Sequence, residues 1–240
     1  MADGGGRIVA GGRSEGKAGA RRRRGGPFGL TDRSAVYLAG LVPAAWLAVS
    51  AAMGWLGVDP VRALEHVLGL WALRFLVLGL MVTPLRDLGW PRLIRYRRAL
   101  GVLAFIYALL HLGVYLGLDQ GLDPAAILAD VLKRPYITVG LAALLLLIPL
   151  AATSTDAMVK RLGAAAWSRL HRLVYPAVAL GVLHFVMVVK GWPPEPMVYA
   201  GIVAVLLGYR VWRKAMPKPG RAGRRRRAPS RPEAERSRAN

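Results

Sequence analysis

Six apolar stretches, each near the length of a bilayer-crossing helix, dominate the middle of the chain. They run approximately Ala35 to Met53, Val67 to Leu85, Ala99 to Leu116, Tyr136 to Thr153, Leu173 to Val189 and Met197 to Trp212. A hydrocarbon core of about 30 Å takes about 20 mostly apolar residues to cross as a helix. In lipid each segment must satisfy its own backbone hydrogen bonds, which stretches of this length do as helices. The pattern predicts an all-α integral membrane protein, a six-transmembrane-helix bundle over 35–212. Composition agrees: the 240 residues are 55% hydrophobic yet carry a formal net charge of +21, a pairing that one soluble core does not accommodate.

The charge collects at the ends. Basic tails over 1–34 and 213–240 hold the runs Arg21 to Arg24 and Arg224 to Arg227 among Gly, Ala and Pro. They read as disordered cytoplasmic segments lying against anionic lipid headgroups, where each Lys or Arg is worth about 1 kcal/mol. Nucleic acid is not expected as a partner, because the basic runs flank an apolar membrane body. A cleaved signal peptide is the competing reading of the first span, with Arg21 to Arg24 before it and Ala48, Ser50, Ala51 and Ala52 after its apolar stretch. The 34-residue tail and the length of the apolar run favour a retained helix.

Orientation follows from Lys and Arg, which stay on the cytoplasmic side. The N-terminal tail has eight, Arg86 to Arg98 five, Ser154 to Arg172 four and the segment from Arg210 onward twelve. The connections after spans one, three and five have one, two and one. Both termini are thus expected in the cytoplasm, with the loops bearing Asp59, Glu65, Asp119, Asp123, Asp130 and Glu195 facing outward. These loops are too short for a soluble catalytic domain, so a partner must supply chemistry outside the membrane.

With no cysteine, the chain has no disulfide, thiolate haem ligation, Fe–S cluster or thiol catalysis. Histidines inside the spans are then the chemical candidates, since ionisable groups are costly in lipid. His111 follows Arg98 by 13 residues, about 20 Å along a helix at about 1.5 Å per residue. His184 follows Arg172 by 12, about 18 Å on a span running the same way. Two imidazoles level on neighbouring helices suit a six-coordinate haem iron, one nitrogen from each side. Each histidine alone is better explained by a hydrogen bond to a carbonyl, and another metal is the alternative for the pair; for the matched pair the absence of Asp and Glu from the expected spans favours haem. Gly113 and Gly181 beside them are expected to let a porphyrin approach the backbone.

His171 lies at the cytoplasmic mouth of the fifth span, 13 residues before His184, with Pro176 between them. It is open to three readings: an interfacial residue, a second-haem ligand, or a flavin or quinone contact. The corresponding position on the third span is Arg97, which cannot ligate iron. His66, at the outer start of span two, reads as interfacial. Arg74 lies eight residues into that span, about 12 Å deep, with no acidic side chain at its level. A haem propionate or flavin phosphate would pair with it, and snorkelling is the alternative.

The runs "GLWALRFLVLGLMVTPLR", "RRALGVLAFIYALLHLGVY", "KRPYITVG" and "WSRLHRLVYPAVALGVLHF", in that order from about Gly69 to Phe185, resemble the MsrQ (YedZ) family. These are haem-binding membrane subunits related to ferric reductase and NADPH oxidase transmembrane domains. By that resemblance His111 and His184 match the outer haem-ligating pair, and His171 the inner position on the fifth helix. Arg97 stands where the oxidases carry their fourth histidine, so a second haem would be ligated differently. The resemblance implies a bacterial inner-membrane location, haem b, FMN and electrons from the respiratory quinone pool. It also implies delivery to a periplasmic molybdopterin-containing methionine-sulfoxide reductase subunit, in a heterodimer that repairs oxidised proteins.

Other functions fit less well. A stand-alone ferric or superoxide-forming reductase needs a nicotinamide and FAD domain, and only 28 residues follow Trp212, without a strand, glycine loop and helix. A ferric reductase-like protein serving another acceptor remains compatible. A transporter or channel normally couples through intramembrane carboxylates. An intramembrane serine protease needs a nucleophile within a glycine motif, absent from the span centres.

Overall fold

The computed structural model describes residues 32–189, 191 and 193–216. The basic runs Arg21 to Arg24 and Arg224 to Arg227 lie outside the described residues. All regular structure among the described residues is helical: α1 (Asp32–Ala52), α2 (Pro60–Asp87), α3 (Arg97–Val114), α4 (Pro124–Lys133), α5 (Pro135–Ala152), α6 (Asp156–Leu162), α7 (Ala164–Leu170), α8 (Val174–Val188) and α9 (Pro194–Ala215). A 3₁₀ turn, Pro91–Tyr96, leads into α3, a π turn, Tyr115–Asp119, extends it, and a second 3₁₀ turn, His171–Leu173, joins α7 to α8.

Five stretches are long and apolar enough to cross a membrane: Ser34–Ala52, Pro60–Asp87, Pro91–Asp119, Pro135–Ala152 and Ala164–Val188. The expected sixth span falls in α9, a helix of 22 residues that carries Glu195, Arg210, Arg213 and Lys214 and is not among those five.

Helix starts follow local chemistry. Pro60, Pro124, Pro135 and Pro194 each open a helix, where the missing N–H leaves no bond unmade. Asp59 and Asp123 cap the first turns of α2 and α4 through amide hydrogen bonds. The Asp59–Pro60 start begins α2 seven residues before Val67. Glu65, expected in an outer loop, therefore belongs to the membrane helix. Glu65 and Asp87 sit towards opposite ends of α2, and its central turns hold no carboxylate.

Helix α2 is the axis of the bundle: half of its apolar stretch is buried, against 22% or less in the other four membrane-length segments. Leu80 of α2 packs in one core with Leu103, Ala104 and Tyr107 of α3 and Ala177 and Val178 of α8. The outward faces of α1, α5 and α9 carry Trp46, Leu145 and Val205, as lipid contact requires.

Two helices with an internal proline have backbone groups served by side chains of other helices. In α1, near Pro43, the fully buried Tyr107 hydroxyl donates to the Gly40 carbonyl at 2.8 Å and accepts from the Ala44 amide at 2.9 Å. It inserts at the pair that the helical ladder would join directly. A Cβ on Gly40 would fall 2.4 Å from Leu103 Cδ1, so the absence of one is what lets α1 approach α3. In α2, Pro84 has no N–H for the Leu80 carbonyl. Arg210 of α9, only 7% exposed, donates from Nη2 to that carbonyl at 2.9 Å and to the Thr83 hydroxyl at 2.8 Å.

Candidate functional site

The structure brings His111 of α3 and His184 of α8 together, with ring centroids 6.1 Å apart and planes at 78°. Each ring is held by the helix packed beside it. His111 Nδ1 bonds the Glu65 carbonyl of α2 at 2.9 Å, and His184 Nδ1 bonds the Tyr136 carbonyl of α5 at 2.7 Å. A carbonyl only accepts, so Nδ1 carries the proton on both rings and Nε2 keeps its lone pair. This is the tautomer that a metal-ligating histidine takes when its other nitrogen is anchored.

Gly69 faces His111 and Gly140 faces His184. A Cβ on Gly69 would stand 3.3 Å from Nδ1 of His111, and one on Gly140 2.7 Å from Nδ1 of His184. The glycines expected to matter were Gly113 and Gly181, yet a Cβ on either meets nothing within 4 Å. Small residues on the histidines' own helices do not face the rings; those on the neighbouring helices do.

Arg74 of α2 donates from Nε to the Tyr199 hydroxyl of α9 at 3.0 Å, and its guanidinium lies over the Trp71 ring at 5.0 Å. Among the described residues it has no carboxylate partner. Tyr199 also packs against Phe185, next to His184 in sequence.

His171 stands apart from that pair, beyond the start of α8. Its ring stacks on Trp167 at 3.8 Å, Nδ1 bonds the Trp167 carbonyl at 3.2 Å, and Nε2 is buried without a partner among the described residues. Arg97 and Arg98 act on it electrostatically. Arg98 pairs with Asp156, whereas Arg97 turns to Tyr175. Pro176 falls in the first turn of α8, directly after the 3₁₀ turn that contains His171. His171 and His184 therefore do not lie on one straight α-helix.

His66 is a surface residue near the N-terminal end of α2. Its Nε2 lies 3.7 Å from Glu195 Oε2, with the two side chains 47% and 44% exposed. Sequence reasoning missed Gly69, Gly140, Tyr199 and the buried Arg210. Of these only Arg210 had a visible signal, a charge in the last expected span.

Residues 68–182 match the family described as "Ferric reductase like transmembrane component", a stretch that includes His111 and His171 and stops just short of His184. This stretch is therefore similar to a ferric reductase-like transmembrane component. The chain is 52% identical over 200 residues to the protein-methionine-sulfoxide reductase heme-binding subunit MsrQ of Brucella anthropi, covering 83% of this chain and 87% of the relative. The proteins of the same name from Brucella ovis and Brucella canis are each 56% identical over 182 residues, covering 76% of this chain and 81% of the relative. The chain belongs to the MsrQ family, and it is a multi-pass inner-membrane protein.

Proposed function

We propose that this chain is a haem b-binding electron-transfer subunit, which passes electrons from the quinone pool to a periplasmic molybdopterin-containing methionine-sulfoxide reductase subunit. The observation that carries this reading is the pair His111 and His184, 6.1 Å apart, each with Nδ1 engaged and Nε2 available. Two bonds of about 2 Å to a metal, plus about 1 Å from each nitrogen to its ring centre, make a centroid separation of about 6 Å. The residues fit a six-coordinate haem, which when bound supplies a one-electron iron couple. Family membership supports the same role.

The chain's own residues do the rest. Donation from Nδ1 to a carbonyl fixes each ring's tautomer and raises the basicity of Nε2. Arg74, steadied by Tyr199 and Trp71, offers its Nη groups to a propionate, a pairing suited to a guanidinium.

At the inner end, the Arg97 guanidinium beside His171 suits an anion. A flavin mononucleotide phosphate fits it. A second haem ligated like the first does not, because arginine cannot ligate iron.

The proposed topology has six spans, α9 being the last, with both termini cytoplasmic. The basic residues of α9 cluster in its final turns, where Lys and Arg reach the interface. The acid-bearing outer loops then face the periplasmic partner. Delivery to another acceptor is the alternative function.

Reconstitution in liposomes tests the reading. Quinol on the inside and the periplasmic reductase subunit outside should reduce methionine sulfoxide only when the chain is present and His111 and His184 are intact. Haem reduction without transfer to that subunit would favour another acceptor.

A further inference from the structure

Both candidate ligands are held by the same three-part arrangement. On α2 the Glu65 carbonyl bonds His111 Nδ1, and Gly69, one turn on, lies against the same ring. On α5 the Tyr136 carbonyl bonds His184 Nδ1, and Gly140, again one turn on, lies against that ring. In a helix the carbonyl of residue i accepts from the amide of residue i+4. A side chain at i+4 overhangs the turn N-terminal to it and so covers the carbonyl at i. Glycine at i+4 leaves the second lone pair of that carbonyl open to a ring from outside.

We infer that Gly69 and Gly140 are positioning residues of the haem site: they open the Glu65 and Tyr136 carbonyls to His111 and His184 and thereby set the electron density on both Nε2 atoms. This rests on the proposed haem reading. The two halves are unequal. A Cβ at Gly140 would stand 2.7 Å from Nδ1 and 2.9 Å from Cε1 of His184, closer than packed atoms allow. At Gly69 the nearest approach is 3.3 Å to Nδ1 of His111, which a shift of a few tenths of an ångström relieves. The His184 half is the stringent one.

The consequence is electronic as well as steric. A weaker Nδ1–H to carbonyl bond makes Nε2 less basic and less able to stabilise the oxidised iron, so the potential rises. Loss of such an outer partner typically costs tenfold or more in metal affinity. A tenfold loss confined to the oxidised form corresponds to 59 mV in a one-electron couple.

The experiment compares the full-length protein with Gly69→Ala, Gly140→Ala and Gly208→Ala in membranes, by haem content, redox titration and the low-temperature spectrum of the oxidised haem. Gly208 is the control, since a Cβ there meets nothing within 4 Å. Gly69→Ala should keep its haem, with a raised potential and an altered low-spin signature. Gly140→Ala should lose most of the main haem or shift further. Wild-type potential and spectrum in both variants would overturn the inference, and if Gly140→Ala fails to accumulate, Gly69→Ala decides alone. His111→Ala and His184→Ala, measured alongside, separate the two levels: haem retained there defeats the haem reading itself, whereas haem lost there with both glycine variants unchanged defeats only the role of the glycines.

Discussion

Arg210 donates from Nη2 to the carbonyl of Leu80 at 2.9 Å, serving the acceptor that Pro84 leaves without its helical amide. Arg210, 7% exposed, with Thr83 as a further partner and Tyr175 under its guanidinium at 5.2 Å, ties α9 to the central helix.

Arg210→Met should therefore destabilise the bundle by about 2–3 kcal/mol, since a charged donor is lost and a buried carbonyl is orphaned. Pro84→Ala in the same chain restores an amide to Leu80 and should recover part of that loss. Thermal unfolding in detergent, read as a double-mutant cycle, checks it. Additive effects of the two changes would show that the arginine serves something other than the proline's carbonyl.

Tyr107 bridges the Gly40 carbonyl and the Ala44 amide in α1. Tyr107→Phe removes both bonds of a fully buried hydroxyl, and a loss of about 1–3 kcal/mol is expected in the same unfolding assay, with haem content unchanged.

Gly40→Ala should be as severe by another route. Its Cβ would overlap Leu103, which is completely buried and has nowhere to move. Overpacking of this kind costs about 1–3 kcal/mol. Leu103→Val shortens the side chain that is struck, and the double variant should be more stable than Gly40→Ala alone.

Arg74→Leu should alter haem content or haem potential, and Tyr199→Phe should do so more weakly, because Tyr199 steadies only Nε. Arg92→Leu, on the exposed 3₁₀ turn before α3, serves as the comparison. Equal and negligible effects at Arg74 and Arg92 would mean that Arg74 merely reaches for the interface.

The helical membrane architecture was readable from apolar stretch length, because lipid forces that length to be helical. Bringing His111 and His184 level was readable too, since rise per residue is the same on every helix. What escaped depends on directions across helices. Depth arithmetic puts a glycine near a histidine, but only packing decides that Gly140 faces His184 and Gly181 does not. The N-terminal extension of α2 was hidden because Arg62, Glu65 and His66 ended the apolar stretch, whereas the Asp59–Pro60 cap begins the helix earlier. The amphipathic α4 and the short α6 and α7 went unread, as polar connections were counted for charge alone.

The central claim is that His111 and His184 hold one haem b between them. The reduced-minus-oxidised absorbance spectrum of the purified protein tests it most directly, recorded for the wild type, His111→Ala and His184→Ala at matched protein concentration. A b-type spectrum in the wild type, with the main haem lost from each variant, is the predicted result. Full haem retention in both variants would contradict it.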